Sequence, residues 1–136
     1  MSRALEKLKT IQKESGNIIS VGLEPSPDYL FHGLTASITG YKGYLRTIIS
    51  ATSDRACAYK LNLAFFEAIP GGWDLLFEVR ELIPSRCLVI ADAKRSDIGS
   101  TAQRYASMLY DQLNADAATV NPLMGSDSVE PFLEYG

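Results

Sequence analysis

Three observations predict an α/β fold built on a parallel sheet. Short apolar runs alternate with segments of helical period, and the runs end at polar or proline-containing loops. In addition, Asp92, Lys94 and Asp97 follow the apolar run 87–91. That is the end of a buried strand where α/β proteins keep their chemistry. Parallel neighbours joined by helices require right-handed crossovers, which leaves an open doubly wound sheet or part of an eight-stranded barrel. The first strand is followed by Gly22-Leu23-Glu24-Pro25 and not by a G-x-G-x-x-G phosphate loop, which favours the barrel. A whole (β/α)8, or TIM, barrel takes about 250 residues, so 136 residues supply about four of its eight units. The expected architecture is the N-terminal half of such a barrel. Residues 1–136 then form one partial domain, and the other half of the barrel is expected to be missing.

Each element has its own signal. Leu5, Leu8 and Ile11, interleaved with charged residues, have helical period, and Gly16-Asn17 ends that first helix. Residues 18–23 form strand one, halted by Pro25 and Pro27. Tyr41, Tyr44, Leu45, Ile48 and Ile49 trace a second helix, and residues 56–63 a second strand. Pro70-Gly71-Gly72 is a turn. A helical stripe of Leu75, Leu76, Val79, Leu82 and Ile83 closes at Pro84, ahead of strand three at 87–91. Residues 100–113 are expected as one helix, 117–121 as strand four, and 129–133 as the start of a further helix.

Composition excludes some classes of function. With 46% apolar residues and a net charge of −3, the chain can bury one core and lacks the clustered basic face of a nucleic-acid-binding protein. No apolar stretch approaches the roughly 20 residues of a membrane helix, and the N-terminus has no signal-peptide pattern, which predicts a soluble, cytoplasmic protein without a membrane partner. Cys57 and Cys87 each open a strand-like run and are expected as buried reduced thiols. His32, in a loop-like stretch without an acid at ligand spacing, is not expected to bind metal.

The candidate chemistry lies at the strand ends. If strand three continues through Asp92 and Lys94, both side chains point into the barrel mouth, with Asp97 at the start of the next helix. Lys60 stands in an otherwise apolar second strand, where a cation needs a partner, and Asp92 on the adjacent strand is the natural one. Lys60, Asp92, Lys94 and Asp97 would then form an alternating line of charge aimed at a substrate. Tyr44, Tyr59, Phe65, Phe66 and Trp73 are read as packing residues, and Arg95 as a surface residue without a role.

Residues 91–101, Ala-Asp-Ala-Lys-Arg-Ser-Asp-Ile-Gly-Ser-Thr, together with the stretches 60–67 and 119–127, resemble the orotidine 5′-monophosphate decarboxylases, most closely their longer, mainly bacterial subgroup. The similarity runs from about Val21 to the last residue. The shorter D-x-K-x-x-D core is shared with related barrels such as hexulose-phosphate synthases and ketogulonate-phosphate decarboxylases. The resemblance implies that Lys94 delivers a proton to C6 of the pyrimidine as carbon dioxide leaves, that Asp92 sits against the substrate carboxylate, and that Lys60 holds Asp92 and a ribose hydroxyl. It implies further that Asp97, Ile98 and Thr101 reach a neighbouring subunit's active site, that Glu24 and Asn62 serve substrate binding, and that no metal or organic cofactor is used. Glu24 stands where the family usually has an aspartate, one methylene shorter.

The expected partners are orotidine 5′-monophosphate and a second copy of the chain in a homo-oligomer with shared active sites. A half-barrel would lack the family's later pyrimidine- and phosphate-binding residues, so the chain alone is expected to be inactive or nearly so. Its open edges on strands one and four are expected to drive association. Two alternatives accompany this reading: a related sugar-phosphate lyase or decarboxylase on the same barrel, and a non-catalytic half-barrel that serves as an assembly module.

Overall fold

The computed structural model describes residues 2–135. Its centre is a four-stranded parallel sheet of β1 (Ile19–Leu23), β2 (Ala56–Asn62), β3 (Leu88–Arg95) and β4 (Ala117–Val120), in spatial order β1-β2-β3-β4. Sequential order with parallel pairing means that each connection moves one strand along in the same direction, as in a growing barrel wall. β1 and β4 are the two edges, as expected.

The helices follow the apolar stripes. α1 (Arg3–Ser15) is capped by Ser2, whose hydroxyl accepts the Leu5 N–H, and closes at Gly16, which adopts the left-handed geometry (φ 67°) that glycine tolerates. α2 (Ile38–Thr52) is capped by Ser37 through the Gly40 N–H. A short α3 (Leu63–Glu67) follows β2 directly, and α4 (Gly72–Leu82) buries Leu75, Leu76 and Val79 completely. Each of those side chains contributes about 2 kcal/mol of burial free energy. α5 (Gly99–Ser107) runs into a π-helical turn, Met108–Gln112, and α6 (Glu130–Leu133) lies near the end of the chain.

Strand alternation divides the side chains between two faces. Leu23, Tyr59, Leu61, Val89 and Ala91 point outward into the main core beneath α2, α4 and α5. The Tyr59 hydroxyl, though fully buried, donates to the Ile49 carbonyl and lies 2.8 Å from Thr52 Oγ1, which fastens β2 to α2. Ala58, Leu88 and Ile90 point to the opposite face, where α1 covers their end of the sheet with Ile11, Leu8 and Ala4. Lys7 of α1 pairs with Asp116 at 2.8 Å, and the same carboxylate oxygen accepts the Val89 N–H. The inner face is therefore apolar and roofed by a helix at the N-terminal strand ends, and open at the other end.

Several boundaries differ from expectation. β3 extends to Arg95 instead of ending at Ala91, because the polar residues continue the ladder: the Asn121 N–H bonds the Arg95 carbonyl. The expected second strand gives up Leu63 to α3, which the apolar run conceals because Leu63 and Phe66 are buried on a helical turn. The helix expected over 100–113 starts at Gly99 and changes to a π turn after Ser107, and the last helix is a single turn.

Candidate active site

The inner face carries its charge where the strands end. Asp92 on β3 is 8% exposed and is the hub. Its Oδ2 accepts from Lys60 Nζ at 3.0 Å, and its Oδ1 accepts from Lys94 Nζ at 2.6 Å and from Thr119 Oγ1 at 2.9 Å. Burial alone would raise the Asp92 carboxyl, but hydrogen bonds from Lys94, Lys60 and Thr119 outweigh it and hold the group down at about 2. Asp92 is thus an ionised anchor with both oxygens occupied.

Glu24, just past β1, extends the cluster to a fourth strand. Its Oε1 accepts from Asn62 Nδ2 at 3.2 Å and lies 3.8 Å from Lys60 Nζ. Lys60 therefore faces two carboxylates, which accounts for a cation in an otherwise apolar strand. Lys94 is the outermost member, with 66% of its side chain exposed, so its ammonium can leave Asp92 for a bound molecule. Its backbone is left-handed, φ 50°, an uncommon state for a residue with a side chain. The strained residue sits where β3 and β4 fall out of register, between Ala91 and Arg95.

Asp97 does not join this line, contrary to the expected alternation. It lies in the turn between β3 and α5, where its Oδ1 accepts the N–H of Ile98. β3 ends at Arg95, two residues before Asp97, and the Lys94 ammonium pairs with Asp92 instead. Ile98 is 59% exposed, and Thr101 stands in the first turn of α5.

Arg95 also departs from expectation, since it is largely enclosed. Its guanidinium pairs with Glu67 of α3 and stacks over the Tyr105 ring of α5 at 5.0 Å, which ties the end of β3 to two helices. The packing reading holds for Tyr59 and Phe66, which are buried, but Trp73 is 41% exposed. Cys57 and Cys87 are buried free thiols.

Two site residues carried no sequence assignment. Thr119 opens the stretch 119–127 that carries the resemblance, without a role of its own. Glu67 ended the motif 60–67 without an evident partner. A separate concavity, between α1, α4 and β4, is lined by Lys7, Arg80, Tyr110 and Phe132 and includes neither Lys94 nor Asp92. Among the described residues no group of three His, Cys, Asp or Glu side chains is placed to hold a metal ion, and no helix is long and apolar enough to cross a membrane.

A parallel sheet that advances strand by strand, with lysines and carboxylates interleaved where its strands end, places the chain among the (β/α)8-barrel proteins. Within that class it belongs to the orotidine 5′-phosphate decarboxylase / HUMPS family, which matches residues 34–136. An orotidine 5′-phosphate decarboxylase of Dehalococcoides mccartyi is 46% identical over 132 residues, covering 96% of this chain and 47% of the relative. The enzyme of that name from Herpetosiphon aurantiacus is 44% identical and likewise covers 96% of this chain. The structure of Leishmania donovani OMP decarboxylase superposes with a TM-score of 0.84 at 38% identity, over 99% of this chain and 50% of that one. The chain spans about half the length of the curated relatives it matches.

Proposed function

We propose that this chain supplies the catalytic lysine–aspartate cluster of an orotidine 5′-monophosphate decarboxylase, which converts that nucleotide to uridine 5′-monophosphate and carbon dioxide in pyrimidine biosynthesis. The observation that carries the reading is the exposed Lys94 ammonium held 2.6 Å from a buried, ionised Asp92. In the proposed reaction the bond between C6 and the substrate carboxylate breaks, carbon dioxide leaves, and the electron pair remains on C6. The Lys94 ammonium lies against that developing carbanion, stabilises it electrostatically, and then gives it a proton, ending as a neutral amine. Asp92 faces the departing carboxylate, and Lys60 holds Asp92 and a ribose hydroxyl. Glu24 and Asn62, already bonded to each other, serve the ribose. The reading requires no metal or organic cofactor, as the family resemblance implies.

The same reading takes residues 1–136 as one partial barrel domain of a cytoplasmic homodimer. Two buried free thiols suit a reducing compartment. Asp97, Ile98 and Thr101 are the residues proposed to complete a partner's site.

The test offers orotidine 5′-monophosphate to the chain and to a chimera that joins it to the second half of the Dehalococcoides mccartyi relative. The chimera is expected to release carbon dioxide and form uridine 5′-monophosphate. A folded chimera with no turnover above background would remove the proposal.

A further inference from the structure

Thr119 stands opposite the irregular stretch of β3. Ala91 pairs with Ala118 and Arg95 with Val120, so three residues of β3, 92 to 94, oppose the single residue Thr119 of β4. The extra length leaves backbone groups without ladder partners, as at any bulge. The Thr119 side chain takes up that role: its Oγ1 accepts the Lys94 N–H at 3.0 Å and donates to Asp92 Oδ1 at 2.9 Å. The direction is fixed, because an ionised carboxylate can only accept and an amide N–H can only donate.

We infer that Thr119 is a positioning residue, whose hydroxyl bridges the bulge and locks the Asp92 carboxylate and the Lys94 backbone into one unit. This inference rests on the functional reading above, in which the Lys94 ammonium moves to a substrate. When that happens Asp92 Oδ1 loses its 2.6 Å partner, and Thr119 is the donor that still holds this oxygen in place, while Lys60 holds the other. Thr119 also anchors the main chain from which Lys94 swings, so the lysine side chain moves without its backbone. The hydroxyl reaches the reacting groups only through Asp92 and Lys94.

The 14.9 kDa chain suits nuclear magnetic resonance. The Asp92 carboxyl titration and the Lys94 amide exchange rate are followed in the unmodified chain, in Thr119→Val and in Thr119→Ser. Valine keeps the shape and removes the hydroxyl, while serine keeps the hydroxyl. The expected result is an upward move of the Asp92 midpoint and an amide exchange about tenfold faster in the valine variant, with serine restoring both. Carrying the pair into a Lys94→Ala background imitates the departed ammonium, and there the valine substitution is expected to move the midpoint further. A valine variant that matches the unmodified chain in both readouts, or a serine variant that restores neither, overturns the inference. So does a midpoint move in the alanine background that is no larger. These readouts do not use turnover, so an inactive chimera would remove the functional reading and leave the bridging role of Thr119 to be decided separately.

Discussion

Lys60 and Asp92 meet at 3.0 Å although they are not register partners: Lys60 lies beside Ile90, and Asp92 beside Asn62. The contact is a diagonal one between adjacent strands on a shared face, within reach of a long side chain. It leaves the second Asp92 oxygen to Lys94 and Thr119, so one carboxylate gathers donors from three strands.

This convergence makes stability depend on acid. Asp92 titrates at about 2 in the folded chain against an ordinary 3.8. Because the folded value is the lower one, the ionised carboxylate favours the native state fully above pH 3.8, and that contribution is lost as the pH falls through about 2. A shift of this size corresponds to about 2 kcal/mol. Asp92→Asn is expected to cost about that much at neutral pH and to flatten the stability profile below pH 3.8. Urea unfolding midpoints recorded across the acid range measure both effects.

Lys94 separates chemistry from folding. Its side chain is mostly exposed, so Lys94→Ala removes an ion pair worth at most about 1 kcal/mol to stability. The same change deletes the proposed general acid and should lower turnover of the chimera by roughly 10²- to 10⁴-fold. Thermal melts and single-turnover rates on one preparation give the comparison, and a variant that keeps near-normal turnover would end the proton-donor assignment.

Arg95 offers a test of geometry over charge. Its planar guanidinium serves Glu67 and the face of Tyr105 together, and a lysine ammonium cannot match both. Arg95→Lys is expected to destabilise by about 1 kcal/mol despite conserving charge. Denaturant titration of this variant beside Glu67→Gln shows whether the ring contact or the ion pair carries more of the effect.

Asp116 holds two elements with one oxygen, taking the Lys7 ammonium and the Val89 N–H. Asp116→Ala strands a strand amide as well as a lysine and should cost about 1–3 kcal/mol. Lys7→Met, which removes only the partly exposed ion pair, should cost less than about 1 kcal/mol. Equal losses in chemical denaturation would show that the Val89 bond contributes little.

How much of this was legible in the sequence depended on how local each signal was. The strand runs were readable because apolar residues cluster within five to eight positions, and Asp92 and Lys94 because they follow such a run. Lys60 announced its need for a partner by standing among apolar neighbours, and the structure pairs it with the acid expected. The place of Asp97 was not readable, since it depends on where β3 ends, at Arg95 and not at Ala91. Arg95 itself looked like a surface residue because Glu67 and Tyr105, its neighbours in space, lie on two different helices. Thr119 stayed silent for a related reason: its value comes from a mismatch in length between two strands, which has no signature in either strand alone.

The left-handed backbone at Lys94 has an evolutionary consequence. At that position glycine or asparagine would relieve a conformational cost of about 1–2 kcal/mol. A library screened for folding alone should drift toward those residues at position 94, whereas a library that must support growth through catalysis should hold the lysine. The residue recovered there would report which pressure a population had experienced, so one dihedral angle becomes a record of selection.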